Sequence, residues 1–188
     1  MDRSRYRKIL DAREKKNKNL IHASFEMETS THFPVLMKLV NHAAGTILEL
    51  GSGMFSTPLL HWMCFESKRP LLTIERHAHY MDFARRFNRG NHAVLHVKQV
   101  EKMDFKGQRF GIVFIDHSPK RPRTRGDDAM LFVDKADYMV LHDAGKEGKA
   151  KYGYEQLYSH FKYRYDWEGA IPNTTVLSNV DTLEWLRT

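Results

Sequence analysis

Short apolar segments alternate with segments of helix length along most of this 188-residue chain. The run FGIVFID at residues 110–116 is almost wholly apolar, which is typical of a strand covered on both faces. The other predicted strands before residue 150 are 46–50, 70–75, 92–98 and 138–143. The predicted helices are 32–43, 56–67, 77–89, 126–136 and 152–162. Strands separated by helices predict an α/β fold with a doubly wound, mostly parallel sheet.

Residues 163–180 depart from this alternation. Two strand-like segments follow one another there, with a short turn and no helix between them. Parallel neighbours need a long crossover connection, so these two strands are expected to pair antiparallel. An antiparallel hairpin is therefore predicted to close one edge of the sheet.

Composition and charge favour a single globular domain with a basic N-terminal arm. Hydrophobic residues make up 41% of the chain, and no apolar run is long enough to span a bilayer. The one cysteine, Cys64, and an N-terminus without an apolar signal core predict a cytoplasmic location. The net charge is +7, and eight of the 30 Lys and Arg residues fall within residues 1–20. We interpret residues 1–30 as a solvated helical arm and residues 31–188 as the functional domain.

Polar residues follow the predicted parallel strands at their carboxyl ends, where open α/β sheets bind ligands. They are Glu49 with Gly51–Gly53, Glu75 with Arg76, Gln99–Glu101, Asp116 with His117, and His142 with Asp143. The strand ends of a parallel sheet lie at one edge, so we expect these residues to form a single site.

The loop Gly51–Gly53 is the most specific of these features. Residue 56 is Ser56, so the third glycine of the dinucleotide fingerprint is missing, and no GK[ST] sequence follows as in a P-loop. Glu75 ends the second strand, where nucleoside-binding α/β folds place an acid on the ribose hydroxyls. A glycine loop that lacks a phosphate-binding motif, beside an acidic residue placed to bind ribose, predicts a nucleoside ligand without phosphates.

The segments ILELGSGMFST, LLTIE and VFIDH together resemble the class I S-adenosylmethionine-dependent methyltransferases. The resemblance implies a Rossmann-like, seven-stranded sheet with an antiparallel C-terminal edge strand. It also implies that the glycine loop faces the methionine part of S-adenosylmethionine, that Glu75 holds the ribose, and that residues 99–101 border the adenine. The predicted cofactor-binding residues are Glu49, Gly51, Ser52, Gly53, Thr57, Glu75, Arg76, Val100, Glu101, Asp116 and His117.

The segments VFIDHSPKRPR and YMVLHDAG are most similar to the catechol-type O-methyltransferases. That resemblance implies catalytic roles for Asp116 and Asp143, which would hold Mg²⁺, and places His117 beside the adenine. Two positions differ, because Ala144 replaces an Asn of the pattern and Pro119 replaces its Lys. His142 offers the alternative of a metal-free general base oriented by a carboxylate. The other nine histidines, His32 among them, are scattered along the chain and are assigned no role.

The segment SPKRPRTRGDD concentrates positive charge after Asp116. Lys120, Arg121 and Arg123 are predicted to bind substrate, which favours an anionic acceptor. The alternative is that the arginines of this segment pair with Asp127, Asp128 and other surface acids.

These observations predict a methyltransferase that uses S-adenosylmethionine and methylates an oxygen of a small acceptor. Mg²⁺ is a further cofactor in one alternative, and no membrane partner is expected. One alternative is an RNA or DNA methyltransferase that uses the basic arm and the arginine-rich loop. Another is a protein that binds S-adenosylmethionine without catalysis.

Overall fold

A computed structural model of the protein describes residues 30–119, 121 and 124–187, and the predicted basic arm falls almost wholly outside them. The strands are β1 Ile47–Leu50, β2 Leu71–Glu75, β3 His92–His96, β4 Phe110–Ile115, β5 Ala136–Leu141, β6 Tyr163–Trp167 and β7 Thr174–Ser178. The α-helices are α1 Phe33–His42, α2 Ser56–Glu66, α3 Ala78–Ala84, α4 Thr124–Met130, α5 Lys146–Tyr152 and α6 Glu155–Tyr158. Within the described part of the chain, no helix is both long enough and apolar enough to cross a membrane.

The seven strands form one sheet in the order β3-β2-β1-β4-β5-β7-β6. Strands β1 to β5 pair in parallel, whereas β7 pairs antiparallel with both β5 and β6. This confirms the predicted doubly wound sheet and the antiparallel hairpin at its edge. The strand order reverses between β1 and β4, which is the switch point where open α/β sheets bind ligands.

The strand register brings the predicted site residues together. Leu50 pairs with Ile74 of β2 and with Ile115 of β4, so the residues that follow Leu50 lie beside the end of β2 and the start of the loop after β4. Ile115 pairs in turn with Leu141 of β5, which places Asp116 next to His142. Parallel pairing therefore assembles four sequence-distant segments at one edge.

The sheet is covered by apolar residues on both faces. On one face Ile112 and Phe114 of β4 pack in a cluster with residues of α1 and α2, such as Leu36 and Leu60. On the other face the alternate β4 residues pack in a second cluster with residues of α4, α5 and α6. All six residues of β4 are buried, as expected for a central strand in a three-layer fold.

Three predicted helices have different bounds in the structure. The helix predicted for 77–89 is α3, which passes into a 3-10 turn at Arg85–Phe87, and the one predicted for 126–136 is α4, which begins at Thr124. The helix predicted for 152–162 is only the single turn α6, because Gly153 adopts the left-handed conformation (φ 74°) and ends α5, an unpredicted helix that comes just before it. The earlier start of α4 brings Arg125 into the helix.

Candidate functional site

The two glycines of the loop after β1 differ in what requires them. Gly51 has φ +93°, and a Cβ placed on it would lie 2.3 Å from the Cα of His117. Glycine is needed there because the backbone of the β4–α4 loop passes directly over it. Gly53 has no positive φ, and a Cβ there would meet only the Ser56 hydroxyl, at 3.1 Å. Its missing side chain therefore leaves the surface of the loop open.

Glu75 fixes this loop to the end of β2. Its Oε2 accepts hydrogen bonds from the backbone N–H and the hydroxyl of Ser52, both at 2.8 Å. Its Oε1 accepts one from the backbone N–H of His77 at 2.7 Å. The Glu75 side chain is buried, and these donors satisfy most of its acceptor sites. The carboxylate is thereby held at a defined position beside the glycine loop.

Glu49 and Thr57 lie beneath the loop and are fully buried. The Thr57 hydroxyl accepts a hydrogen bond from the Gly53 N–H at 3.0 Å and donates to the Glu49 carboxylate, as does the Thr73 hydroxyl at 2.6 Å. Burial raises the pKa of Glu49 to about 7, although hydroxyl hydrogen bonds oppose this. Both residues support the loop from below.

A cleft of about 640 Å³ opens beyond the ends of β2 and β3. Its lining includes Arg76, His77, His96, Gln99 and Lys102. Of the three residues predicted to border the adenine, Gln99 lines this cleft, Val100 is buried in the core and Glu101 is exposed to solvent.

Arg76 and His117 meet at Asp128, a residue of α4. The Arg76 guanidinium lies 2.5 Å from the Asp128 carboxylate, and His117 Nε2 lies 2.9 Å from the same oxygen, without the alignment of a good hydrogen bond. All three side chains are buried. Asp128 thus links the end of β2 to the loop after β4, close to Gly51.

Asp116 and Asp143 are both held by one buried cation, Arg125. Its guanidinium lies 3.1 Å from Asp116 Oδ1 and 2.7 Å from Asp143 Oδ2, and its Nε donates to the His117 carbonyl at 2.6 Å. The Arg125 side chain is only 7% exposed, and it also lies 4.2 Å from the ring centroid of Tyr152. The two carboxylates predicted to hold Mg²⁺ are therefore bridged by a guanidinium. This arrangement does not fit a Mg²⁺ ion between them, because the guanidinium already occupies that position.

His142 completes this group of charges. Its Nδ1 lies 3.1 Å from Asp116 Oδ1 and 3.5 Å from Asp143 Oδ1, and the residue is 4% exposed. Burial alone would lower the pKa of His142, but the charge and hydrogen bond of Asp116 outweigh it and raise the pKa. Burial alone would raise the pKa of Asp116, but His142 and Arg125 outweigh it and hold that pKa well below its usual range. The ion pairs therefore keep Asp116 ionised.

His32 also lies at this cluster, although no pattern in the sequence assigns it a role. Its ring centroid is 4.8 Å from that of His142, and burial lowers the pKa of His32 to about 4. His32 precedes α1, and its proximity to His142 follows from the packing of α1 against the sheet. No spacing along the chain signals this contact.

The arginine-rich loop divides between solvent and interior. Arg121 pairs with Asp127 at 3.0 Å and its side chain is 68% exposed, whereas Arg125 is buried. The other predicted substrate residues, Lys120 and Arg123, lie outside the described residues. The early start of α4 explains the burial of Arg125. It shares the inner face of the helix with Asp128 and Ala129, a spacing of three and four residues.

Comparisons with known proteins identify the fold. A scan against protein-family models and a search of curated proteins gave no match. Among solved structures, an O-methyltransferase from Bacillus cereus in complex with S-adenosylhomocysteine matches with 15% identity and a TM-score of 0.56, covering 95% of this chain and 92% of that one. An S-adenosylhomocysteine-bound methyltransferase from Podospora anserina matches with 10% identity and a TM-score of 0.62, covering 95% and 96%.

A precorrin-6y C5,15-methyltransferase from Geobacter metallireducens is similar in the same way, with 12% identity and a TM-score of 0.58, over 82% of this chain and 93% of that one. At these identities the likeness concerns the fold. The chain has the Rossmann-like fold of these methyltransferases.

Proposed function

We propose that this protein is an S-adenosylmethionine-dependent methyltransferase that methylates an oxygen of a small acceptor. The observation that carries the proposal is the joint position of the glycine loop and Glu75, linked through Ser52 at the switch point of the sheet. Solved structures with this fold include methyltransferases bound to S-adenosylhomocysteine.

The residues present fit a nucleoside with an amino-acid tail. Glu75 uses about three of the four acceptor sites of a carboxylate, and a rotation of the Ser52 hydroxyl frees one more for a ribose diol. The open surface at Gly53 suits the methionine part, since a ligand can approach the main chain closely there. The adenine side of the proposed site contains the remaining predicted contacts, which are Arg76, residues 100–101 and His117.

We assign the acceptor to the side of Asp116, His142 and Asp143. S-adenosylmethionine supplies an electrophilic methyl group on its sulfonium when bound. The carboxylates of Asp116 and Asp143 are 21% and 27% exposed, so they can accept the hydrogen bond of an acceptor hydroxyl and orient its oxygen. His142 is less suited to act as a free base, because both of its ring nitrogens already have partners within the cluster.

The acceptor is proposed to be a small molecule, with a preference for an anion. Arg121 is exposed near this side of the site, and its partner Asp127 is 41% exposed, so an anionic substrate can compete for the guanidinium. Lys120 and Arg123 are proposed to add to this preference.

The test is titration calorimetry of the full chain with S-adenosylmethionine and S-adenosylhomocysteine. The wild type should bind both, and Glu75→Ala should bind about 10–100-fold more weakly, because hydrogen bonds to a charged group contribute roughly 1.5–3 kcal/mol. The matched control is Glu66→Ala, which removes an exposed acid at the end of α2 and should bind as the wild type does. Failure of the wild type to bind either compound would refute the cofactor assignment.

Turnover separates an enzyme from a binding protein. Asp143→Ala should keep its affinity for S-adenosylhomocysteine and lose methyl transfer, when assayed against a panel of small hydroxylated acids. Binding without turnover of any acceptor in the wild type would favour the non-catalytic alternative.

A further inference from the structure

His32 is buried in a way that the cofactor site does not explain. The residue is 1% exposed, and within the described part of the chain neither ring nitrogen has a hydrogen-bond partner. A buried polar group without a partner costs roughly 1–3 kcal/mol. Such a cost is expected at a site where the group serves a ligand.

The free nitrogens of His32 lie next to two other ligand-forming groups. Three atoms that can bind a metal ion, one from each of His32, Asp116 and His142, lie within 4.8 Å of one another. A metal ion about 2.0–2.2 Å from three such atoms holds them roughly 3.4 Å apart in a tetrahedral arrangement. The side chains therefore need to close by at most about 1.4 Å to surround an ion.

The hydrogen bonds of Thr31 indicate which nitrogen of His142 is available. The Thr31 hydroxyl donates its single proton to the Pro172 carbonyl at 2.8 Å. It must then accept a hydrogen bond from His142 Nε2, 3.0 Å away, so that nitrogen carries a proton. The opposite nitrogen, Nδ1, faces Asp116. An imidazole that donates through one nitrogen and binds through the other is the usual arrangement of a metal-bound histidine.

We propose that His32, Asp116 and His142 bind one divalent transition-metal ion, such as Zn²⁺ or Co²⁺. Two imidazoles and one carboxylate suit these ions, whereas Mg²⁺ and Ca²⁺ prefer oxygen ligands alone. This site shares Asp116 with the Asp116–Asp143 pair, but its other ligands are His32 and His142. Arg125 contacts both carboxylates, at 3.1 Å for Asp116 and 2.7 Å for Asp143.

Three protein ligands leave a coordination position open for water or for a substrate oxygen. If the protein is the proposed methyltransferase, that position binds the acceptor hydroxyl on the side of Asp116 and Asp143. This role in catalysis depends on the proposed function, whereas metal binding itself does not.

The experiment is a titration of untagged, chelator-treated protein with Co²⁺, followed through the visible absorption of the bound ion, and with Zn²⁺ by calorimetry. One ion should bind per chain, and an excess of Mg²⁺ should not displace it. His32→Phe should abolish this binding. Thr31→Val should weaken it by roughly 10–100-fold, as expected for loss of the group that orients a ligating histidine. His160→Ala removes an exposed histidine and should bind as the wild type does.

Circular dichroism and S-adenosylhomocysteine binding on the same samples separate this proposal from misfolding and from the proposed function. A folded His32→Phe variant that binds Co²⁺ with wild-type affinity would overturn the site. Equal affinities for the wild type and Thr31→Val would also overturn it, as would the absence of stoichiometric binding by the wild type. Loss of metal binding with retained S-adenosylhomocysteine binding is the expected result for His32→Phe.

Discussion

Replacing Arg125 by Met tests the claim that one guanidinium compensates the charges of both Asp116 and Asp143. The Arg125 side chain is 7% exposed and contacts Asp116 at 3.1 Å and Asp143 at 2.7 Å. Removing one member of a buried ion pair costs roughly 3–5 kcal/mol, because the remaining charge is left without compensation. Both carboxylates retain partial exposure, so we expect the lower end, about 3 kcal/mol.

The assay is urea unfolding of the wild type and Arg125→Met at several pH values. Asp116 has a lowered pKa in the folded protein, so its contribution to stability is present above its ordinary pKa and is lost as the pH falls. Without Arg125 that pKa is lowered less. The stability difference between variant and wild type should therefore stay nearly constant from about pH 7 to about pH 4, the ordinary pKa of Asp, and shrink as the pH falls below it.

The matched control is Arg121→Met, which removes a guanidinium paired with Asp127 but 68% exposed. This surface pair should contribute less than about 1 kcal/mol. The interpretation of Arg125 would be refuted by a cost no larger than that of the control, or by a cost that does not change with pH.

Further predictions concern the loop and the polar residues beneath it. Gly51→Ala should destabilise the protein by at least about 3 kcal/mol in urea unfolding, since a left-handed alanine alone costs about 1–2 kcal/mol and its Cβ would overlap His117. Gly53→Ala should leave stability within about 1 kcal/mol of the wild type but weaken S-adenosylhomocysteine binding in calorimetry, and the reverse pattern would contradict the assignment of the open loop surface. The pKa of Glu49 is raised to about 7, so the contribution of Glu49 to stability should fall as the pH rises between about 5 and 8. Glu49→Gln should remove this fall in pH-dependent urea unfolding, and an unchanged slope would show that Glu49 is not its source.

The alternation of strands and helices was enough to predict the fold and the edge of the sheet where the site lies. Parallel strands end at the same edge, so Gly51, Glu75, Asp116 and His142 were predicted to converge without knowledge of any contact. The register of β1, β2, β4 and β5 bears this out.

The contacts within the site depended on features that no local pattern carries. Arg121 and Arg125 are four residues apart in the same basic segment, yet one is exposed and the other is buried between two carboxylates. The difference depends on where α4 begins. His32 is 84 positions from Asp116, and only the docking of α1 on the sheet brings it near His142. Side-chain partners set by packing between distant elements therefore required the structure.

A crystal structure of the protein with S-adenosylhomocysteine is the most direct test of the proposed function. The ribose hydroxyls should lie within hydrogen-bond distance of Glu75, with the amino-acid tail over Gly53 and the sulfur directed toward Asp116 and Asp143. A ligand bound elsewhere on the sheet, with Glu75 still holding only Ser52 and His77, would contradict it.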